Sequence, residues 1–309
     1  MGSISSASRN GAGSSKRIQP PLWAPSYLTS SKTIHSAGRV SSARDRSERK
    51  VMNDTSGRTA RATGTNFDAV HEDYLRASFE PSEEVFRWLL TTSGLARHKA
   101  ALEIGCGGGK LTSFAADEFD RVIGVDISGK MIGIAAETHR ASNIEWVAAD
   151  ITSYRPRSDI DFIFAYETFH LLPRDARFIE QLLGWLGCSG VLSVSWCAYH
   201  WERTLSEPIS RVFSEFGLTL QPDGYEACDY LGDVALGVPI ERANHALQRH
   251  SQTTVERISD YLSTISVAVA LSGNERRQLR ERLTCELKAH VPSSSLAGLD
   301  TFHVVVLRQ

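Results

Sequence analysis

One short segment limits what this chain can fold into more than any other. Ala100-Ala101-Leu102-Glu103-Ile104 is a strand-length, mainly apolar run, and Gly105-Cys106-Gly107-Gly108-Gly109 follows at once, ahead of a helical pattern from Lys110 to about Glu118. Glycines at 105, 107 and 109 let the backbone turn sharply and approach a ligand closely, with free helix N-terminal N–H groups facing it. A small polar ligand is therefore expected at the turn. A dinucleotide fingerprint would need glycine where Lys110 stands. A phosphate loop would need Ser or Thr after Gly109-Lys110, where Leu111 stands, and glycine at Ile104. What remains is Glu103-x-Gly105-x-Gly107-x-Gly109, with Asp126 ending the next strand and Asp150 following the third. An acid beside the turn suits a positively charged ligand and repels a pyrophosphate. Asp126 can accept hydrogen bonds from ribose hydroxyls.

The rest of the body alternates strand and helix. Apolar spacing predicts two helices between Phe67 and Leu95, divided by Pro81. Strands are read at Arg121 to Val125, Ile144 to Ala149, Ile160 to Ala165 and Val191 to Trp196. Helices are read from Ser128, as N-cap, to about Arg140, and from Arg174 to Leu186. Beyond these come a helix from Arg203 to Phe216, a strand near Asn244 to Val255, helices over Val255 to Ile265 and Glu275 to His290, and a closing strand from Phe302 to Leu307. This rhythm means a doubly wound, mostly parallel α/β sheet with right-handed crossovers.

The segments ALEIGCGGGKLT, VIGVDIS, IEWVAAD and DFIFAYETFHLL, in that order and spacing, resemble the successive motifs of class I S-adenosylmethionine-dependent methyltransferases. With SVSWCAYHW, they are most similar to the small-molecule branch of trans-aconitate methyltransferase-like enzymes. The resemblance implies a seven-stranded Rossmann-like sheet with a helical cap, and S-adenosylmethionine as cofactor. Residue by residue, it implies that Glu103, Gly105, Cys106, Gly107 and Gly109 hold the methionine part and Asp126 the ribose. Ile127 would lie against adenine, Asp150 and Ile151 would edge its ring, and Tyr166 would face the sulfonium. The first helix would fold over the cofactor through Phe67 and Tyr74. The Asp/Asn-Pro-Pro-aromatic signature of amino-directed nucleic-acid enzymes is replaced here by Ala165-Tyr166-Glu167-Thr168, and a Pro-Cys pair for cytosine methylation is lacking, so nucleic acid is disfavoured as substrate.

A sulfonium methyl group is already activated, so the protein must align a nucleophile, exclude water and, for a hydroxyl, remove a proton. His170, four residues past Tyr166 at the sheet's ligand edge, is the candidate base. A locally satisfied histidine at a helix start is the competing reading. Glu167 is the next candidate for substrate contact, with a solvated loop acid as its alternative. Trp196 and Tyr199 could wall an apolar pocket or pack a corner, and Arg203 with Arg211 could clamp a carboxylate or serve as solvated helix charges. An insertion at about 197–250 is expected to carry specificity. The acceptor is expected to be a small organic molecule, methylated at a carboxylate or hydroxyl oxygen. A catalytically silent relative and an NAD-type oxidoreductase are the alternatives; Glu103, Asp126 and Asp150 together speak against the first, Lys110 against the second.

Composition separates a tail from this body. Residues 1–63 carry 11 Lys plus Arg against 3 Asp plus Glu. Twelve of the first 44 residues are Ser, without apolar period, so the tail is expected to be disordered. Residues 64–309 are expected to form the methyltransferase domain. The tail also fits a transit peptide, a basic nucleic-acid arm or an N-acylation signal, and Met52 offers an alternative start. With no 18-residue apolar run, neither a membrane span nor a membrane partner is expected, and cytoplasmic location follows, with organellar import through residues 1–51 as the alternative. Five scattered cysteines without a CxxC pair indicate reduced thiols and no metal site.

Overall fold

The structure, a computed structural model, describes residues 68–173, 175–219, 231, 240–291, 293 and 295–308. These belong to the second of two units, Ser31–Gln309. The tail, its expected boundary at 63/64, Phe67 and most of the insertion lie outside the described residues.

Helices α1 (His71–Ala77) and α2 (Glu83–Ser93) flank Pro81, as the sequence predicts. The Ser82 side chain accepts from Val85 N and caps α2. There follow β1 (Ala100–Ile104), α3 (Lys110–Ala116), β2 (Arg121–Asp126), α4 (Gly129–Thr138), β3 (Ile144–Ala148) and β4 (Ile160–Tyr166). A 3-10 turn (Phe169–Leu171) leads into α5 (Ala176–Leu183) and β5 (Leu186–Ala198). Helix α6 (His200–Glu215), β6 (Glu241–Thr254), α7 (Val255–Leu262), α8 (Gly273–His290) and β7 (Ser295–Arg308) complete the chain. The last strands outrun their predicted lengths because β6 and β7 pair antiparallel along their whole length, Glu241 to Arg308 through Thr254 to Ser295. Pairing partners, which no local pattern carries, set their ends.

The seven strands are ordered β3-β2-β1-β4-β5-β7-β6. Neighbours from β3 to β5 are parallel, and β7 runs antiparallel to both β5 and β6. Strand order reverses between β1 and β4, so the crevice beyond their carboxyl ends is the natural ligand position. All five residues of β1 are buried, because helices cover both faces. Leu102 and Ile104 join one core with Ile163, Val194 and α5, while Ala101 joins another with Phe162, Phe164, α2 and α3. A third core holds α6, α7 and α8 against Cys197 and Tyr199. Among the described residues no helix is long and apolar enough to cross a membrane.

Trp146 of β3 shows how tightly the ligand-edge elements fit. A Cβ on Gly124 would stand 2.7 Å from its ring and 3.1 Å from Cys106 Sγ, and a Cβ on Gly109 would stand 2.4 Å from the same indole. Substitution Gly124→Ala should therefore cost about 1–3 kcal/mol through overpacking. Gly133→Ala on α4, where a Cβ meets nothing within 4 Å, should instead add up to about 1 kcal/mol by helix propensity. Urea unfolding of the two variants beside the parent checks both signs.

Candidate active site

The glycine turn is closed from two sides. Gly105 N and Cys106 N both donate to Val125 O of β2, at 2.8 and 3.1 Å. Asp126 then reaches back: its Oδ2 accepts from Gly107 N at 2.9 Å and its Oδ1 from Ser128 N at 2.8 Å. Gly105, at φ 70°, lies in the left-handed region, and a Cβ there would be 2.3 Å from Thr168. A side chain at 105 would thus fail on both conformation and space. Thr168 Oγ1 donates toward Gly105 O at 3.3 Å and Tyr166 O at 3.0 Å, which ties the end of β4 to the turn.

An open cleft lies over this turn. Glu103, Gly105, Cys106, Gly107 and Gly108 form its floor. Tyr74, Leu75, Ser78 and Phe79, from α1 and the segment after it, form one wall. Tyr166, Glu167 and Thr168 after β4, with Tyr199 and Tyr261, form the other. Leu75 packs so close to Gly108 that a Cβ there would be 2.7 Å away.

Carboxyl and phenol groups dominate the chemistry of the cleft. Glu103 is buried and accepts from Thr112 Oγ1; burial outweighs that bond and pushes its carboxyl up to about 8. Glu167 stands in the left-handed region at φ 52°, with its Oε1 accepting from Cys197 N at 2.7 Å. Such strain in a non-glycine residue clusters at functional sites. Burial, together with the Glu202 charge, holds the Glu167 carboxyl near 8 as well. Burial and the Glu167 charge raise the phenols of Tyr74 and Tyr166 far above their ordinary range. The Tyr166 hydroxyl is buried next to the Tyr199 phenol. Lys110 is the one cationic residue in this lining, and it lies over Phe114 at the rim, 5.4 Å from the ring centroid.

The predicted residues divide between the cleft, an adjoining shelf and the core. Glu103, Gly105, Cys106, Gly107, Tyr74, Tyr166, Glu167 and Tyr199 line the cleft. Gly109, at φ 83°, is the N-cap of α3. On the adjoining shelf, Asp126 joins the turn, Ile127 leaves an apolar side chain 49% exposed beside it, and Asp150 Oδ1 accepts from Thr152 N, with Ile151 buried beneath. His170 lies on the 3-10 turn, half-buried, and is absent from the cleft lining; Glu167 and Thr168 are the residues of that segment that reach it. Trp196 is in the core, stacked on His303 with ring centroids 5.1 Å apart, which favours the packing reading over a pocket wall. Arg203 is exposed on α6 outside the cleft, and Arg211 pairs with Glu286 at 3.4 Å, so neither clamps a ligand in it. Side-chain direction on a helix that starts three residues earlier than predicted decides both.

Several contributors went unread in the sequence. Thr112 sits nine residues from Glu103 on the next helix, Phe79 and Tyr261 come from distant elements, and Asp68 accepts from Ser128 Oγ and Lys130 Nζ. Only Thr112 had a local signal, as the polar residue on an otherwise apolar face of α3.

Residues 101–190, β1 to β5, match a family model described as "Methyltransferase domain". Over these residues the chain is similar to methyltransferase domains. A trans-aconitate 2-methyltransferase of Azoarcus sp. (strain BH72) is 30% identical over 146 residues, covering 47% of this chain and 54% of that protein. One from Agrobacterium fabrum is 28% identical over 222 residues, covering 67% and 84%. The chain thus spans about half the length of the first curated relatives it matches. A solved protein of Anaeromyxobacter dehalogenans, assigned as a type II methyltransferase, shares the fold with a TM-score of 0.50 at 18% identity, over 75% of this chain and 98% of its own.

The two cleft acids with raised pKa values make stability depend on pH. Glu103 and Glu167 are ordinary carboxyls, near 4.5, when the chain is unfolded, and titrate near 8 when folded. The stability they contribute is complete below about 4.5 and lost as pH rises through about 8. Urea midpoints of the ligand-free protein should therefore fall between pH 5 and 8, and Glu103→Gln should flatten that slope.

Proposed function

We propose that this chain transfers a methyl group from S-adenosylmethionine to an oxygen, carboxylate or hydroxyl, of a small organic molecule. The observation that carries this reading is the convergence of two carboxyls lacking a cationic partner, the buried Glu103 and the half-buried Glu167, with tyrosine rings over a glycine turn at the sheet's switch point. Carboxylates and aromatic faces both favour a cation. The sulfonium donor, when bound, supplies an activated methyl group.

The chain's own residues would then divide the work. Glu103 and the backbone of Gly105 to Gly107 would hold the amino-acid end, with Tyr166 facing the sulfur. Asp126 already accepts two N–H bonds and keeps further lone-pair directions for ribose hydroxyls. Ile127 would offer its exposed side chain to the adenine. Tyr74 and Leu75 on α1 would exclude water from the reacting end. The named relatives, trans-aconitate 2-methyltransferases, support an oxygen acceptor on a small molecule rather than a nucleic-acid base.

Calorimetry with S-adenosylmethionine, S-adenosylhomocysteine and NAD tests the reading. The two sulfur compounds should bind and NAD should not, and Asp126→Ala should weaken the donor by roughly 10- to 100-fold, the worth of charge-assisted hydrogen bonds. Because a bound cation favours ionised Glu103 and Glu167, donor affinity should rise with pH and level off above about 8, with proton release below it. Heat from NAD alone, or an Asp126→Ala protein that binds the donor undiminished, would reject the assignment.

A further inference from the structure

We propose that the acceptor is the hydroxyl of a small uncharged phenol, and that Glu167, not His170, takes its proton. The inference rests on the proposed methyl transfer and narrows its acceptor from oxygen in general to one chemical class.

The charge of the cleft argues against a polycarboxylate. Its lining carries Glu80, Glu103 and Glu167 against the single rim cation Lys110. Arg203 and Arg211, the cations expected to clamp an acid, lie elsewhere. A site that recognises several carboxylates needs forked or point cations facing them, and the described residues here present acids.

The wall chemistry argues for a ring. Phe79 packs against Tyr199 with centroids 4.9 Å apart and tilted by 44°, and against Tyr261 at 5.2 Å, edge to face. Tyr199 and Tyr261 line the cleft beside Phe79. Planar aromatic ligands gain offset and edge contacts on such a surface that an extended acid does not.

Glu167 fits the proton transfer by position. It follows β4 at the switch point, its left-handed backbone is pinned by Thr168 on the turn and by Cys197 N on its Oε1, and its second oxygen is left for another partner. Around it stand Tyr74 from α1, Tyr166 from β4, Cys197 and Tyr199 from the end of β5, and Glu202 from α6; none is cationic. Its proton affinity, near 8, is within about two units of a phenol and far from an aliphatic alcohol, so a phenol is the hydroxyl it can deprotonate. In the step, the phenol oxygen bonds to the methyl carbon as the carbon–sulfur bond breaks with its electron pair to sulfur. The phenolic proton passes to the Glu167 carboxylate and then to water.

The test uses the full chain with labelled donor, a panel of phenols of graded acidity, trans-aconitate and citrate. Label should enter phenols and not the polycarboxylates. Glu167→Gln keeps an oxygen for Cys197 N but removes one carboxylate facing the donor, so donor affinity by calorimetry should fall and lose part of its rise with pH, while kcat at saturating donor falls about 10²- to 10⁴-fold. The loss should shrink for phenols already ionised at the assay pH, and the rise of kcat with pH seen in the parent should flatten in the variant. Phenol binding in the presence of S-adenosylhomocysteine, followed by calorimetry, gives a readout independent of turnover. Label in trans-aconitate alone, no transfer to any phenol, or a Glu167→Gln protein with parental kcat and pH profile would each overturn the inference while leaving methyl transfer standing. Failure of the donor itself to bind would instead remove the reading beneath it.

Discussion

The two backbone hydrogen bonds accepted by Asp126, from Gly107 N and Ser128 N, are what the ligand edge depends on. They join the turn after β1 to the turn after β2, so that helices α3 and α4 begin side by side with their free N–H ends on one edge of the sheet. Together with the bonds from Gly105 N and Cys106 N to Val125 O, they remove most of the conformational freedom a glycine turn would otherwise have. The carboxylate is buried, and this pushes its pKa upward, while both N–H bonds pull it back. A ligand hydroxyl that adds a further donor continues a network the protein has already built.

The cleft itself is held in a state that favours a cation. Glu103 is buried and Glu167 half-buried among tyrosine rings, with no Lys or Arg of the described residues beside them, so their neutral forms prevail near neutral pH. Burying such groups among aromatics costs stability that a hydrophobic replacement would not. Thr112 on Glu103 and Cys197 N on Glu167 offset part of that cost and fix the orientation of each carboxyl. The family model matches residues 101–190, from β1 into β5, and the charge pattern describes what the carboxyl edge of those strands presents.

Much of the fold was legible because alternating strand and helix signals come from local periodicity and β1 and β2 are short strands ended by Gly105 and Asp126. The sheet edge formed by β6 and β7 was legible only in outline, since pairing between segments fifty residues apart sets its length. In the site, Glu103, the glycine turn, Asp126 and Tyr166 could be placed because each sits at a fixed step from a strand end. Trp196 and Arg203 could not, because their side chains depend on strand face and helix start, where one or two residues reverse the direction.

The amino-acid sequence by itself determined the strand-turn-helix unit, the acids that end β1 and β2, and the parallel winding, since these follow from local sterics, glycine spacing and chain rhythm. Tertiary structure alone decided that Glu167 rather than His170 reaches the cleft, that Phe79 and Tyr261 join Tyr74 and Tyr199 as its walls, and that no arginine among the described residues enters it. Those outcomes depend on contacts between residues up to 182 positions apart, such as Phe79 with Tyr261, and such proximity follows from packing of the whole domain rather than from any local pattern.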